Sequence, residues 1–228
     1  MPLKTYTNLL DAKRALIEEA AIHEFAENSY QSVSISKIVA QASIAKGSFY
    51  QYFSDKRDLH QHLLSIAQKT KIEMVSKMTP PSMSMDTFGY LRWMIQVAVM
   101  FELRYPKLAA IERQAFSDGP LPEPAMAESE GANDPVARFR EFLMQGVMHD
   151  DIAPWVDIEL AAFYLTSVHQ QISRYLILRM GEKAKSIEDG SVDIAFDPLT
   201  QDLFDNLMEL IEAGMARDPQ IRKDYYSK

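Results

Sequence analysis

The spacing of apolar residues constrains the fold of this 228-residue chain more than any other feature. Apolar side chains recur three and four positions apart along most of the sequence, which is the repeat of a helix with one buried face. No run alternates apolar and polar residues for long enough to predict a β-strand. Since 47% of the residues are hydrophobic, the chain can also fill a core. The sequence therefore predicts an all-α protein.

Capping residues, Pro and Gly divide this pattern into segments. The predicted helices are Asn8–Asn28, a short helix capped by Ser34, Lys46–Phe53, a helix capped by Ser54 or Asp55 that continues to Met78, Met85–Arg104, 107–117, Asp134–His149, Pro154–Met180 and Leu199–Ala216. A loop is predicted over Asp118–Asn133 and a polar insert over Gly181–Pro198. We expect an N-terminal three-helix domain over residues 1–54 and a helical domain over residues 55–228, with helix 55–78 shared between them.

Two short predicted helices, separated by a tight turn of small residues and preceded by a longer helix, form the pattern of a helix-turn-helix. The second helix of such a motif lies in the major groove of DNA. The strings that carry the pattern are Phe25-Ala-Glu-Asn-Ser-Tyr30, Ser34-Ile-Ser-Lys-Ile-Val-Ala40, Lys46-Gly-Ser-Phe-Tyr-Gln-Tyr-Phe53 and Asp55-Lys56. Over residues 13 to 60 the chain resembles the N-terminal signature of the tetracycline-repressor (TetR) family of transcriptional regulators.

The resemblance implies a ligand-responsive repressor that leaves a palindromic operator when a small lipophilic molecule binds the C-terminal domain. It also implies a homodimer, and Ile158–Ile177 and Leu203–Ile211 are the stretches expected to form its four-helix interface. The expected partners are double-stranded operator DNA, a second copy of the chain and a small-molecule effector. Two DNA-binding domains that read a palindrome lie about 34–36 Å apart, which is one turn of the duplex.

Side-chain type and position within the motif predict the DNA contacts. The predicted contact residues are Ser34, Ser36, Lys46, Gly47, Ser48, Tyr50, Gln51, Tyr52 and Lys56. Of these, Ser48, Gln51 and Tyr52 are expected to face outward, and glutamine can pair with adenine through two hydrogen bonds. We expect Lys56 to bind phosphate at the start of the fourth helix.

Three positions depart from the family pattern. In addition, the net positive charge of the N-terminal region, residues 1–60, is low for a DNA-binding domain. Ser43 replaces the usual turn glycine, Ala45 replaces a capping Ser or Thr, and Ser29 replaces a glycine after the first helix. Residues 1–60 carry seven basic and seven acidic side chains, while the rest of the chain carries the whole net charge of −8. The alternative hypothesis is therefore a helical protein-binding adaptor whose head has lost its affinity for DNA.

Apolar and aromatic residues of the second domain are the candidates for an effector cavity, because pliable Met and amphipathic aromatics suit a lipophilic ligand. The candidate ligand-binding residues are Trp93, Met94, Phe101, Phe142, Met148, Tyr164, His169 and Tyr175.

No catalytic motif is visible, and no cofactor is expected. His60 and His62 are two positions apart, which places them on different faces of a helix and disfavours a metal site. The chain has no cysteine, no signal-peptide pattern and no long apolar run, so we expect a cytoplasmic protein that does not enter a membrane.

Overall fold

The computed structural model describes residues 2–78, 86–117, 135–181 and 197–217. Its α-helices, numbered here in chain order, are α1 Lys4–Thr7, α2 Asp11–Glu27, α3 Ile35–Gln41, α4 Lys46–Tyr52, α5 Lys56–Val75, α6 Thr87–Arg104, α7 Pro106–Ser117, α8 Pro135–Met148, α9 Ile158–Met180 and α10 Pro198–Met215. These described residues contain no β-strand, and the all-α prediction is confirmed.

Helix starts follow the predicted caps at α3 and α5, whereas α2 begins at Asp11 and not at the predicted Asn8. Ser34 and Asp55 accept hydrogen bonds from the third residue of α3 and α5, as predicted. However, α9 begins at Ile158, where Asp157 caps it, and not at Pro154. The short helix α1 was not predicted, because four residues are too few to show a periodicity. The predicted loop over residues 118–133 and nearly all of the polar insert lie outside the described residues.

The chain divides into two compact units. Of the described residues, the head unit contains 2–78 and 105–117, and the body unit contains 86–104, 135–181 and 197–217. Helix α5 packs within the head, and so does α7, which contacts both α2 and α5 although 30 residues separate it from α5. Two segments that are separate in the sequence therefore form the head unit. The functional division at residue 54 stays a prediction.

Aromatic and aliphatic side chains from several helices form the head core. Phe25, Phe49 and Phe53 are fully buried there together with Leu59 and Ile111. Each buried aromatic side chain removes roughly 150–250 Å² from water, so this cluster is a large part of what stabilises so small a unit. Because Ile111 belongs to α7, the helix-turn-helix is completed by a segment far away in the sequence.

A separate core lies in the body unit, where α9 packs against α6, α8 and α10. Polar contacts fix the ends of these helices. Asp151 Oδ2 accepts hydrogen bonds from Thr87 N at 2.9 Å and Thr87 Oγ1 at 2.6 Å, at the start of α6. The backbone N–H of Ala153 donates to Met215 O at the end of α10. Within the described ranges, no helix is long and apolar enough to cross a membrane.

Candidate nucleic-acid interface

Helix α3 begins at a cap that two side chains build. Ser34 Oγ accepts a hydrogen bond from Lys37 N at 3.4 Å, and Ser34 N donates to Glu24 Oε1 at 3.0 Å. Glu24 is buried, and its carboxylate lies near the helix N-terminus, where the helix dipole favours a negative charge. Ser34 is therefore half-buried in the cap, whereas Ser36, the second residue of α3, is exposed.

The turn between α3 and α4 has the geometry of a Schellman motif. Ile44 N donates to Val39 O at 3.0 Å, and Ser43 N donates to Ala40 O at 3.2 Å. This motif requires a left-handed residue at its centre, and Ser43 has a φ of 53°. A left-handed conformation costs a non-glycine residue roughly 1–2 kcal/mol, so the packing of the flanking helices must hold the turn. Ser43, which replaces the usual turn glycine, thus adopts the conformation that glycine favours.

Helix α4 presents a continuous polar arc. Its exposed residues are Lys46, Gly47, Tyr50 and Gln51, and Ser48 is half-buried at the edge of the arc. These positions fall on one side of a 3.6-residue helix, opposite the buried Phe49. No atom lies within 4 Å of a Cβ built on Gly47, so the helix surface is open at this point. The start of α4 has no side-chain cap, because Ala45 offers no oxygen.

Tyr52 is not part of this arc, and the prediction that it faces outward is wrong. Its side chain is only 6% exposed and packs edge-on against Tyr6, with the ring centroids 6.2 Å apart. Leu3 N donates to Tyr52 O at 2.8 Å, and Thr5 Oγ1 donates to Gln51 O. The unpredicted helix α1 thereby fixes the C-terminal end of α4 and covers the side on which Tyr52 lies.

The start of α5 also differs from the expectation. Lys56 Nζ donates to three backbone carbonyls of the segment between α2 and α3, those of Tyr30, Gln31 and Val33. We predicted that this ammonium is available to a DNA phosphate. In the structure it instead donates to the protein backbone.

A polar network links α1 to α2 and α5. Tyr6 OH donates to Glu18 Oε1 at 2.7 Å, and His62 Nε2 lies 3.0 Å from the same oxygen. The hydrogen bond with His62, reinforced by that from Tyr6, holds the pKa of Glu18 below its ordinary value. Burial and the hydrogen bond to Glu18 raise the pKa of Tyr6, which therefore keeps its proton. Sequence periodicity gave no signal for this network, since its members come from three helices.

The candidate effector residues separate into two groups in the body unit. Five are buried or half-buried: Trp93, Met94, Phe101, Phe142 and His169. The other three are exposed, with Met148 82%, Tyr175 47% and Tyr164 38% accessible. The prediction that these three line an interior cavity of one chain is wrong, because they lie on the outward faces of α8 and α9.

In the body, Nε1 of Trp93 on α6 and Oγ of Ser173 on α9 are buried polar atoms with no hydrogen-bond partner among the described residues. A buried polar group without a partner costs about 1–3 kcal/mol. Ser173 was not among the predicted residues, because a serine on an apolar helix face carries no sequence signal of its own.

Comparisons with known proteins agree with this architecture. Residues 17–63 match the family model for bacterial regulatory proteins of the tetR family. Residues 85–215 match the model for the tetracyclin repressor-like C-terminal domain, which covers more than half of the chain.

Individual relatives extend this agreement over nearly the whole chain. The chain is 34% identical to a TetR family transcriptional regulator from Chloroflexus aurantiacus J-10-FL, whose crystal structure superposes with a TM-score of 0.82 over 96% of this chain and 100% of that one. It is 22% identical over 79% of its length to the probable acrEF/envCD operon repressor of Escherichia coli K12, of which it covers 82%. A gamma-butyrolactone receptor (ArpA-like protein) shares the fold with a TM-score of 0.56 at 20% identity, over 86% of this chain and 98% of that one.

An all-helical head with a helix-turn-helix, joined to a helical body, defines the class of one-component DNA-binding regulators. The chain belongs to the tetR family of bacterial regulatory proteins and is a ligand-responsive, DNA-binding transcriptional repressor.

Proposed function

We propose that α4 enters the major groove of a palindromic operator and reads bases through its polar arc. The observation that carries this proposal is the exposed arc of Lys46, Gly47, Tyr50 and Gln51 on a helix whose opposite side is buried in the head core. Gln51 is the best base-reading candidate, since its amide can pair with adenine in two hydrogen bonds. Gly47 allows the helix backbone to approach the groove closely.

Phosphate contacts flank this base-reading helix in the proposal. Tyr50 is 50% exposed and offers a hydroxyl, and Lys46 is exposed at the start of α4. Ser36 is exposed in the first turn of α3, where its hydroxyl can donate to a phosphate, and Ser34, which caps this helix, lies beside it. Ser48, at the edge of the arc, can hydrogen-bond either strand's polar groups.

The functional unit in this proposal is a homodimer formed through α9 and α10. Large apolar side chains stay exposed along α9 at helical spacing, among them Leu160, Phe163 and Leu178, and Leu210 continues this surface on α10. An exposed apolar stripe of this kind marks a protein interface. A second copy would cover it in a four-helix arrangement and hold two heads at the spacing of a palindrome.

The effector is a mostly apolar small molecule with a hydrogen-bond acceptor, bound in the body unit. Support comes from Trp93 Nε1, a buried donor without a partner among the described residues, and from the ring of Tyr90, which contacts the rings of both Trp93 and Phe142. An acceptor on the ligand would satisfy the indole N–H. A shift of α6 would reach the head through its covalent junction with α7, which belongs to the head core.

Binding of the dimer to the upstream region of its own gene, measured by gel shift at stated salt, tests the DNA proposal. Gln51→Ala is expected to weaken operator binding by about 1–3 kcal/mol and to leave non-specific DNA binding unchanged. Gln68→Ala is the matched control, because Gln68 is exposed on α5 outside the motif. Equal affinities of the wild type for operator and random DNA would contradict the proposal.

A screen of lipophilic compounds for operator release tests the effector proposal. For a compound that releases the DNA, Trp93→Phe is expected to weaken its effect by roughly five- to tenfold, since the ring stays and one hydrogen bond to a buried group is lost. Trp155→Phe is the control, because Trp155 is 67% exposed. Equal responses of the two variants would refute the role of Trp93. A cytoplasmic location belongs to the same proposal, because that is where bacterial operator DNA lies.

A further inference from the structure

The ammonium of Lys56 has a complete set of protein partners. Nζ lies 2.7 Å from Tyr30 O, 3.2 Å from Gln31 O and 3.4 Å from Val33 O. It also lies 4.8 Å from the centroid of the Tyr30 ring. A lysine ammonium has three N–H donors and no acceptor, so three carbonyls use its whole capacity.

These three carbonyls belong to the segment that leads directly into α3. At the next residue, Ser34 N donates to the buried carboxylate of Glu24, which belongs to α2. Two opposite charges therefore hold consecutive residues of the segment, a cation from α5 on the carbonyls and an anion from α2 on the N–H. Among these contacts, Lys56 is the one that connects the start of α3 to α5.

Displacing Lys56 would move more than this segment. Helix α3 leads into α4 through the turn at Ser43, where hydrogen bonds from Ser43 N and Ile44 N tie the turn to the end of α3. A shift at the start of α3 is therefore passed to α4 through a turn that offers little freedom. A phosphate contact by Lys56, in contrast, would first require the ammonium to leave its three carbonyls.

We propose that Lys56 is a positioning residue that fixes α3, and through it the base-reading helix, to the start of α5, and that it does not bind DNA phosphate. The inference rests on the proposed DNA-binding function, and it revises the phosphate role expected from the sequence. In this assignment Lys56 acts on specificity, whereas an exposed lysine such as Lys46 acts on the electrostatic part of the affinity.

The dependence of operator affinity on salt separates these two roles. Each phosphate contact contributes about 0.9 to the slope of log K against log salt. Fluorescence anisotropy over a range of KCl concentrations is measured for the wild type, Lys56→Met and Lys46→Met. We expect Lys46→Met to lower the slope by about two, because the dimer loses one phosphate contact in each half-site. Lys56→Met is expected to keep the wild-type slope and to weaken operator binding by roughly tenfold at every salt concentration, the loss of about one base contact.

The ratio of operator to non-specific affinity separates positioning from a purely stabilising role. It is measured at a temperature at which circular dichroism shows every variant to be folded. Positioning predicts a lower ratio for Lys56→Met, because non-specific binding does not need α4 in register. An unchanged ratio, or a slope reduced by about two, would overturn the proposal.

Lys56→Arg keeps the test decisive if the methionine variant does not fold. Arginine binds phosphate at least as well as lysine, so a phosphate role predicts full operator affinity. A planar guanidinium cannot place one nitrogen at three carbonyls, so positioning predicts a loss of operator affinity. Wild-type binding in the same series shows separately whether the chain binds its operator at all.

Discussion

The start of the base-reading helix offers a direct test of the link between sequence and local stability. Helices α3 and α4 have seven residues each, but Ser34 caps α3, whereas Ala45 leaves α4 without a side-chain cap. Four N–H groups at the start of any helix lack an intrahelical partner, which is more than half of those in so short a helix. Ala45 has the extended backbone of a cap residue, with φ −70° and ψ 144°, and it is exposed.

Replacing Ala45 by threonine supplies the missing oxygen without a clash. A capping hydroxyl contributes about 1 kcal/mol, and a comparable gain in the free energy of unfolding is expected for Ala45→Thr relative to Ala45→Val. Valine has the same shape and the same branching at Cβ, so the difference isolates the hydroxyl group. For a chain of this length 1 kcal/mol corresponds to about 2–4 °C in the melting temperature.

Thermal and urea unfolding followed by circular dichroism measure this difference, and Ser34→Ala provides the reciprocal change in α3. We expect Ser34→Ala to lower the free energy of unfolding by about 1 kcal/mol, the amount that Ala45→Thr gains over Ala45→Val. If the threonine and valine variants unfold at the same temperature, then the start of α4 does not limit the stability of the head, and the reasoning fails.

Three further predictions concern glycines and one carboxylate. Gly47→Ala should stabilise the head by about 0.5–1 kcal/mol in thermal unfolding, because the added methyl meets no neighbouring part of the protein. In the proposed complex the methyl would lie against DNA and weaken operator binding in the gel shift, and an unchanged operator affinity would contradict close approach to the groove. Gly146→Ala should destabilise the body by about 1–3 kcal/mol, because its Cβ would lie 2.7 Å from a neighbouring side chain, whereas Gly214→Ala, with nothing within 4 Å, should not; equal melting temperatures would refute this. Glu18→Gln should lose stability relative to the wild type above about pH 4.5, the ordinary pKa of the carboxyl, because the folded pKa is lowered. That difference should shrink as the pH falls through the folded pKa in urea titrations, and a constant difference would show that the folded protein does not lower the pKa of Glu18.

Local sequence determined the helices, their caps and the motif. The apolar spacing of α2, the capping oxygens of Ser34 and Asp55, and the string from Lys46 to Phe53 each act within a few residues of one another. Such interactions have the same geometry wherever the segment lies in the protein, so they can be predicted from the sequence without knowledge of the tertiary structure. The position of the turn at Ser43 also follows from the local sequence, because Ser43 stands where the family usually has its turn glycine.

Only the tertiary structure decided which of the motif's side chains are available to DNA. Tyr52 lies three positions after the buried Phe49, and its contact with Tyr6 of α1 completes its burial. Lys56 has the right place at a helix start, but its ammonium is used by carbonyls 23 to 26 positions earlier in the chain. The body's exposed tyrosines likewise fit a helical stripe that could face either core or solvent. In each case, contacts between distant segments determine whether the side chain is exposed. The residue pattern within one helix does not specify which other segment will pack against that helix.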